Sequence, residues 1–384
     1  MTTTFLRITS PRQARIAITV FFFISGFGYS SWASRIPSIK QQLNLNEAQL
    51  GAILFALPVG LLFTMPITGR LLTLYNSRKI MLAGAILFNL VLMLPGFSNS
   101  IWQLVFILVC FGGTRNLLNL SMNALSVEVQ NMYNKSIIAS FHGIWSLAGF
   151  AGAGVGYLMV TYDVATSYHL LAVSITMIFL TILFYSNTPD QIPVAQKAKP
   201  LFSLPEKPLI KFSIISFATM SCENTMYDWS GIYFQNEVHG SKSAATAAFA
   251  VYMVFMTLGR FTGDKLVEYL GIKTILKFSG ILIFTGLFIA VAFPYPIPVY
   301  AGFAVVGLGV SCIVPMVFSI AGKSKTMNSG QALASISTVG YLGFLMVPPL
   351  VGFVAQSTSL RWSFGMIALL GGVIVWMVSK LDRD

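Results

Sequence analysis

The sequence predicts an all-α polytopic membrane protein of twelve transmembrane helices in two six-helix pseudo-repeats, and three observations carry that expectation. Hydrophobic residues make up 55% of the 384 positions and charged residues only 9%, whereas a soluble domain holds about 25% charged residues. Apolar segments long enough to cross a hydrocarbon core of ~30 Å recur along the whole chain. The basic residues gather in short loops rather than on one amphipathic face, so a net charge of +12 argues for a membrane orientation signal and against nucleic-acid binding.

In order, Arg7, Arg12 and Arg15 precede an apolar run from Ile16 to Ala33. A charged start and a small-residue end imitate a secretory signal, but the many later spans favour an uncleaved first helix. Further spans are expected near 48–69, 80–98, 101–127, 137–160 and 167–186, and then near 208–234, 244–266, 272–293, 297–321, 330–355 and 360–379. Between the two sets lies 187–207, with Pro189, Pro193, Pro200 and Pro205, a composition that makes a linker rather than a domain. The expected organisation is therefore a six-helix bundle at 1–186, a cytoplasmic linker at 187–207 and a second bundle at 208–384. With a cytoplasmic N-terminus, Arg35, Lys40, Lys242 and Arg361 fall outside, Arg115 falls within a span, and the other basic residues of the 24 fall inside. Both termini are then cytoplasmic.

The halves echo each other. Trp32 and Trp229 each close a first helix, Arg78 and Lys273 lie in the following cytoplasmic loops, and Ser140 and Ser335 each lie 62 positions further on, in an Ala-Ser pair. Parallel repeats of this kind place a substrate site at the repeat interface near the bilayer midplane.

Gly69 to Lys79 (GRLLTLYNSRK) resembles a weakened loop signature of the major facilitator superfamily, and Gly263 to Lys273 (GDKLVEYLGIK) is its counterpart. NLSMNALSVE (Asn119 to Glu128), SFHGIWSLAG (Ser140 to Gly149), CENTMYDWSGIYF (Cys222 to Phe234), GLGVSCIVPMVFSIAG (Gly307 to Gly322) and ALASISTVGYLGFLMVPPLVGF (Ala332 to Phe353) resemble the YbjJ-like branch, related to the fucose/proton symporters. The resemblance implies the major facilitator fold and a solute transporter of the bacterial inner membrane, and it names no solute. It also assigns a gating or loop-motif role to Gly69, Arg78, Asp264, Glu268, Gly271 and Lys273. Asn119 stands where similar proteins tend to carry Asp. Thr73 replaces the usual loop acid of the first half, which argues against symmetrical latching by the two loops.

Residue chemistry singles out the stretch Met220 to Phe234. It carries Glu223, Asn224, Tyr227 and Asp228 in an otherwise apolar segment, and Glu223 lies ~18 Å beyond Lys211 at the helical rise, near the middle of the core. An ionisable residue at that depth is a functional-site hypothesis by default. The structural alternative is a hydrogen-bonding role in helix packing. Arg115, Asn119 and Asn123 recur every four residues and form one polar stripe on the fourth helix; the bland alternative for Arg115 is a packing clamp on neighbouring carbonyls.

Glu223 is the expected titrating group and Arg115 its expected partner, since a carboxyl holds its proton more tightly when desolvated and less tightly beside an arginine. His142 could titrate near neutral pH or simply tie the fourth and fifth helices together. Asp228 suits outer gating as well as solute contact, and Trp229 suits an outer interface. Gly149, Gly152, Gly154 and Gly156 suggest a close helix seam, and Pro348 with Pro349 a break in the eleventh helix.

Other chemistries lack support. Cys110, Cys222 and Cys312 are too dispersed for a metal or redox motif, three histidines offer no metal spacing, and no GxxxxGK[ST] loop is present. The sequence therefore points to a non-enzymatic, cofactor-free, monomeric carrier, proton-coupled or facilitative, of a small polar solute: a sugar, sugar derivative or small organic anion. A drug/proton antiporter and a non-transporting membrane sensor or scaffold are the alternatives.

Overall fold

In lipid the backbone must satisfy its own hydrogen bonds, and long apolar segments do so as helices. The computed structural model describes residues 10–133, 137–190, 204–322 and 329–382 and is helical, with no strand among them. The elements are α1 (Pro11–Ala33), α2 (Ile36–Gln42), α3 (Glu47–Leu54), α4 (Ala56–Leu74), α5 (Ser77–Leu92), α6 (Ile101–Asn131), α7 (Ile138–Thr161) and α8 (Thr166–Tyr185), followed by α9 (Lys207–Asn236), α10 (Lys242–Leu270), α11 (Ile272–Ala292), α12 (Pro296–Val310), α13 (Ile313–Gly322), α14 (Ser329–Ser357) and α15 (Leu360–Ser379). Most of the linker, 191–203, lies outside the described residues.

Among the described residues eleven helical segments are long and apolar enough to cross a membrane. The twelfth long helix, α9, has 30 residues, or ~45 Å at the helical rise. It is set apart by composition: the polar residues from Ser221 to Asp228 dilute its apolar character. Large apolar side chains on other spans face outward, with Trp102 and Ile297 each 81% exposed, as lipid contact requires.

By packing, the chain forms two compact units. Unit 1 comprises residues up to Trp32, Ala56–Gly152 and Ala165–Ala198; unit 2 comprises Ala33–Phe55, Ala153–Val164 and the chain from Lys199 onward.

In unit 1, α4 and α6 cross where each has a glycine: a Cβ on Gly60 would strike the carbonyl of Val109, and one on Gly112 the carbonyl of Leu57. A buried amide pins the same crossing, with Asn116 Nδ2 donating to Thr68 Oγ1 (3.3 Å) and Thr64 Oγ1 (3.4 Å). α1 meets α7 through Gly26 against Trp145 O and Gly152 against Phe27 O. Gly152 thus belongs to a close seam as expected, whereas a Cβ on Gly154 would meet open space.

Unit 2 is built around α9, which packs against α14, α15, α10, α13 and α12. Gly343 brings α14 onto Phe217 O, while Gly340 faces the side chains of Ser216 and Met220. Tyr233 on α9 donates to Ala290 O (2.7 Å) and its ring lies 4.4 Å from that of Phe364. Enclosure of α9 corrects the interface reading of Trp229, which is fully buried. The same unit holds α3 against α14, where Gly51 and Gly352 let the backbones touch. Lys40 pairs with Glu47 (2.9 Å), and Asn236 donates to that carboxylate (2.8 Å). Arg35, expected in an outer loop, is buried; burial pushes its guanidinium down to about 10, and it donates to Val164 O (2.9 Å).

Helix breaks fall elsewhere than expected. α14 runs unbroken through Pro348 and Pro349. The helix is interrupted instead at Phe55, between α3 and α4, and at Ser311 and Cys312, between α12 and α13. Each break lies three or four residues before a proline, Pro58 or Pro315. A proline cannot donate to the carbonyl four residues back and its ring crowds it.

Candidate functional site

Two polar clusters lie inside the helical units, one in each. In unit 1, Arg115 sits near the middle of the 31-residue α6, with its guanidinium 3.7 Å over the ring of Tyr29 on α1. Its Nε is buried without a hydrogen-bond partner, and no ion pair to it occurs among the described residues. One turn further on, Asn119 Oδ1 accepts from Ser25 Oγ (2.9 Å), and Ser25 Oγ accepts in turn from Trp145 Nε1 (3.3 Å). That relay orients the Asn119 amide, with its NH2 as the end not engaged by Ser25. Asn123 Nδ2 donates to the carbonyl of Asn119 (2.8 Å), so its amide is partly absorbed by its own helix. His142 is exposed, edge-on to Phe22 at 5.2 Å. Arg115, Asn119, Asn123 and His142 thus belong to one unit, and Ser25, Tyr29 and Trp145 complete their surroundings.

In unit 2, Glu223 lies 3.5 Å from Arg260 on α10, both side chains largely covered. The sequence expectation paired Glu223 with Arg115 and counted Arg260 among the cytoplasmic charges. The structure gives Glu223 a partner inside its own unit. Depth counting from the end of α10 would have found it: Arg260 stands eleven residues before the Gly271 cap, ~16 Å along the helix, level with Glu223 at ~18 Å from Lys211.

Tyr227 is buried, its ring 5.4 Å from Phe249 and 6.1 Å from Tyr252. Asp228 is buried one turn beyond Asn224. Asn224 is 3% exposed, and neither its Oδ1 nor its Nδ2 has a hydrogen-bond partner; Ser221 Oγ and Tyr252 Oη are likewise buried and unpartnered. Buried groups of this kind are ordinarily satisfied by protein, ordered water or a ligand, and they occur elsewhere among the described residues as well, at Trp32 Nε1 and Ser174 Oγ for example.

Both loop motifs reach back to their bundles, but unequally. Arg78 pairs with Asp190 (3.1 Å), donates to the carbonyls of Tyr185 and Ser186 and stacks on the Tyr185 ring at 4.5 Å. Lys273 donates to Leu381 O (3.4 Å). Each basic residue thus reaches the chain just after the sixth span of its half, α8 or α15. Gly271 caps α10 with a φ of 78°, a conformation that favours glycine. Gly69 lies within α4, and Glu268 is exposed near the end of α10. The side chain of Asp264 lies outside the described residues. No group of three metal-ligating side chains occurs among the described residues.

A family model described as Major Facilitator Superfamily matches residues 18–343 and 212–384. An uncharacterized MFS-type transporter of Yersinia pestis is 32% identical over 359 residues, covering 93% of this chain and 92% of the relative. Membrane protein MosC of Rhizobium meliloti is 26% identical over 371 residues, with 96% and 90% covered. Among solved structures, the nucleoside transporter NupG superposes with a TM-score of 0.75 at 14% identity, over 97% of this chain and 99% of that one.

Proposed function

The chain belongs to the major facilitator superfamily, and on that premise we propose that it is a secondary active transporter carrying a small polar solute by alternating access, coupled to protons. Its motifs favour the YbjJ-like branch. The distribution of basic residues favours a bacterial inner membrane with both termini and the linker cytoplasmic, and the protein acts as a monomer of two six-helix bundles, 1–186 and 208–384.

The observation that carries this reading is the Glu223–Arg260 pair at mid-helix depth in unit 2. An ionised carboxylate beside a guanidinium is neutral as a pair, and protonating Glu223 dissolves the pair and leaves Arg260 to find other contacts. A transporter that exposes Glu223 to each side in turn thereby converts a proton into a change of charge at one place. The unpartnered amide of Asn224 and hydroxyl of Tyr252, close by in the same unit, support a solute that carries hydrogen-bonding groups of its own.

The test is solute-induced pH change in proteoliposomes, screened over sugars, organic anions, amino acids and cationic drugs, with Glu223→Gln in parallel. The expected result is a solute-dependent proton signal in the wild type that vanishes in the variant while solute exchange persists. A variant signal equal to that of the wild type removes Glu223 from the proton path. Exchange without any proton signal makes the protein a uniporter or exchanger. The drug/proton antiporter reading rests on the Tyr227, Phe249 and Tyr252 rings; selective transport of apolar cations in the same screen would replace the polar-solute reading with it.

A further inference from the structure

We infer that the solute is an anion, and that Arg115 with the Asn119 amide is the site that reads its carboxylate or phosphate group; this rests on the transporter reading above. Three covered arginines have a partner for their charge. Arg35 donates to Val164 O, Arg78 pairs with Asp190, and Arg260 pairs with Glu223. Arg115 has the face of Tyr29 and neither an acid nor a carbonyl partner among the described residues; its Nε is buried without a partner, as are those of Arg78 and Arg260.

Unit 1 offers it no acid. The carboxylates described there are Glu128 and Asp190. Glu128 stands thirteen residues along the same helix, ~20 Å away, and Asp190 is held by Arg78. A guanidinium cannot lose its charge in a protein, so unit 1 keeps a positive charge in the middle of a membrane-spanning helix. Such a charge is expensive unless something pairs with it.

The neighbouring polar group makes the site selective for acceptors. Trp145 donates to Ser25, Ser25 donates to Asn119 Oδ1, and this engages one lone pair of the amide oxygen. What Arg115 and Asn119 chiefly present together is a guanidinium edge and an amide NH2, an excess of donors, with Asn123 Oδ1 one turn further on. Tyr29 covers one face of the guanidinium and leaves its planar edge for two parallel hydrogen bonds, the geometry that suits carboxylate or phosphate oxygens. A neutral polyol, whose hydroxyls must both donate and accept, leaves the charge unmatched; a cation is repelled.

The experiment uses the full-length protein in detergent and in proteoliposomes, with matched probes: glucuronate and glucose 6-phosphate against glucose, gluconate against glucitol, benzoate against benzamide. Thermal stabilisation in detergent reads binding, and counterflow in proteoliposomes reads transport. The expected result is that at least one anion stabilises the wild type while its neutral partner does not, the two acid types in the panel distinguishing carboxylate from phosphate. Arg115→Gln should weaken that binding at least tenfold and Arg115→Lys less. Asn119→Asp, which supplies Arg115 with an internal counter-ion, should abolish binding while leaving a folded, monodisperse protein.

The inference is overturned if neutral partners bind as well as the anions, if no anion in the panel stabilises the wild type, or if Arg115→Gln binds anions like the wild type. Anion binding that depends on Arg115 without counterflow of any solute would sink the transporter reading instead.

Discussion

In unit 1 the guanidinium of Arg115 lies on the Tyr29 ring with no carboxylate of its unit in reach, whereas in unit 2 the guanidinium of Arg260 lies 3.5 Å from Glu223. Each unit has a basic loop residue that reaches the chain after α8 or α15, Arg78 and Lys273, yet the charges in their interiors are differently arranged. In unit 2 the Glu223–Arg260 pair is neutral when Glu223 is ionised and positive when it is protonated, and Asp228 is a further buried carboxyl on the same helix. Unit 1 is positive throughout.

The packing around the two clusters differs as well, and it yields the largest expected effect. In unit 1 a Cβ on Gly60 meets the backbone carbonyl of Val109, which cannot move without shifting α6. In unit 2 a Cβ on Gly340 meets Ser216 Oγ and Met220 Sδ, which can rotate away. Gly60→Ala should therefore destabilise the protein by about 2–3 kcal/mol and Gly340→Ala by less than about 1 kcal/mol, read as thermal or denaturant midpoints in one detergent. Equal losses would mean that the α9–α14 contact is as rigid as the α4–α6 crossing.

Next in size is the unit 2 ion pair. Arg260→Leu alone leaves Glu223 without its guanidinium, and at this partial exposure should lower stability by about 2 kcal/mol, less than the 3–5 kcal/mol of a fully buried pair. The double variant Glu223→Gln, Arg260→Leu should regain most of that stability without regaining proton coupling. If the double variant is no more stable than the single one, the two side chains are not energetically coupled.

Much of this arrangement was legible in the sequence, and the parts that were not have physical reasons. Helix positions follow from apolar runs, and Glu223 stands out because a carboxylate is conspicuous in such a run. Arg260 was missed because it lies within a few turns of a charged loop, GDKLVEYLGIK, and a basic residue near a helix end reads as an anchor until its depth is counted from the true cap at Gly271. Sequence does not tell the breaks before Pro58 and Pro315 from the unbroken helix at Pro348 and Pro349, since whether a proline interrupts a helix depends on what satisfies the freed carbonyl. Ser25 was invisible for a related reason. A lone serine in an apolar helix carries no signal until Asn119 and Trp145 are brought to it.

Asn224 sharpens the contrast through a change of opposite sign. Its amide is buried with both polar atoms unpartnered, and an unsatisfied buried group costs about 1–3 kcal/mol. Asn224→Leu, close in size, should raise the melting temperature of the solute-free protein while lowering transport at least tenfold. Stability gained with function lost marks a residue kept for a ligand; stability lost would show that Asn224 serves the packing of α9.

The smallest effect separates the two parts that Tyr29 could play in unit 1. If its ring holds Arg115 by the attraction of a cation for an aromatic face, Tyr29→Phe keeps that face and should leave transport near the wild-type rate. Tyr29→Leu removes it and should weaken solute binding by about 1 kcal/mol, roughly fivefold, as expected for a partly desolvated cation–π contact. A Phe variant as impaired as the Leu variant would assign the effect to the hydroxyl. In that case Arg115 is positioned by something other than the ring beneath it, and the charge asymmetry between the units would rest on Arg115 and Asn119 alone.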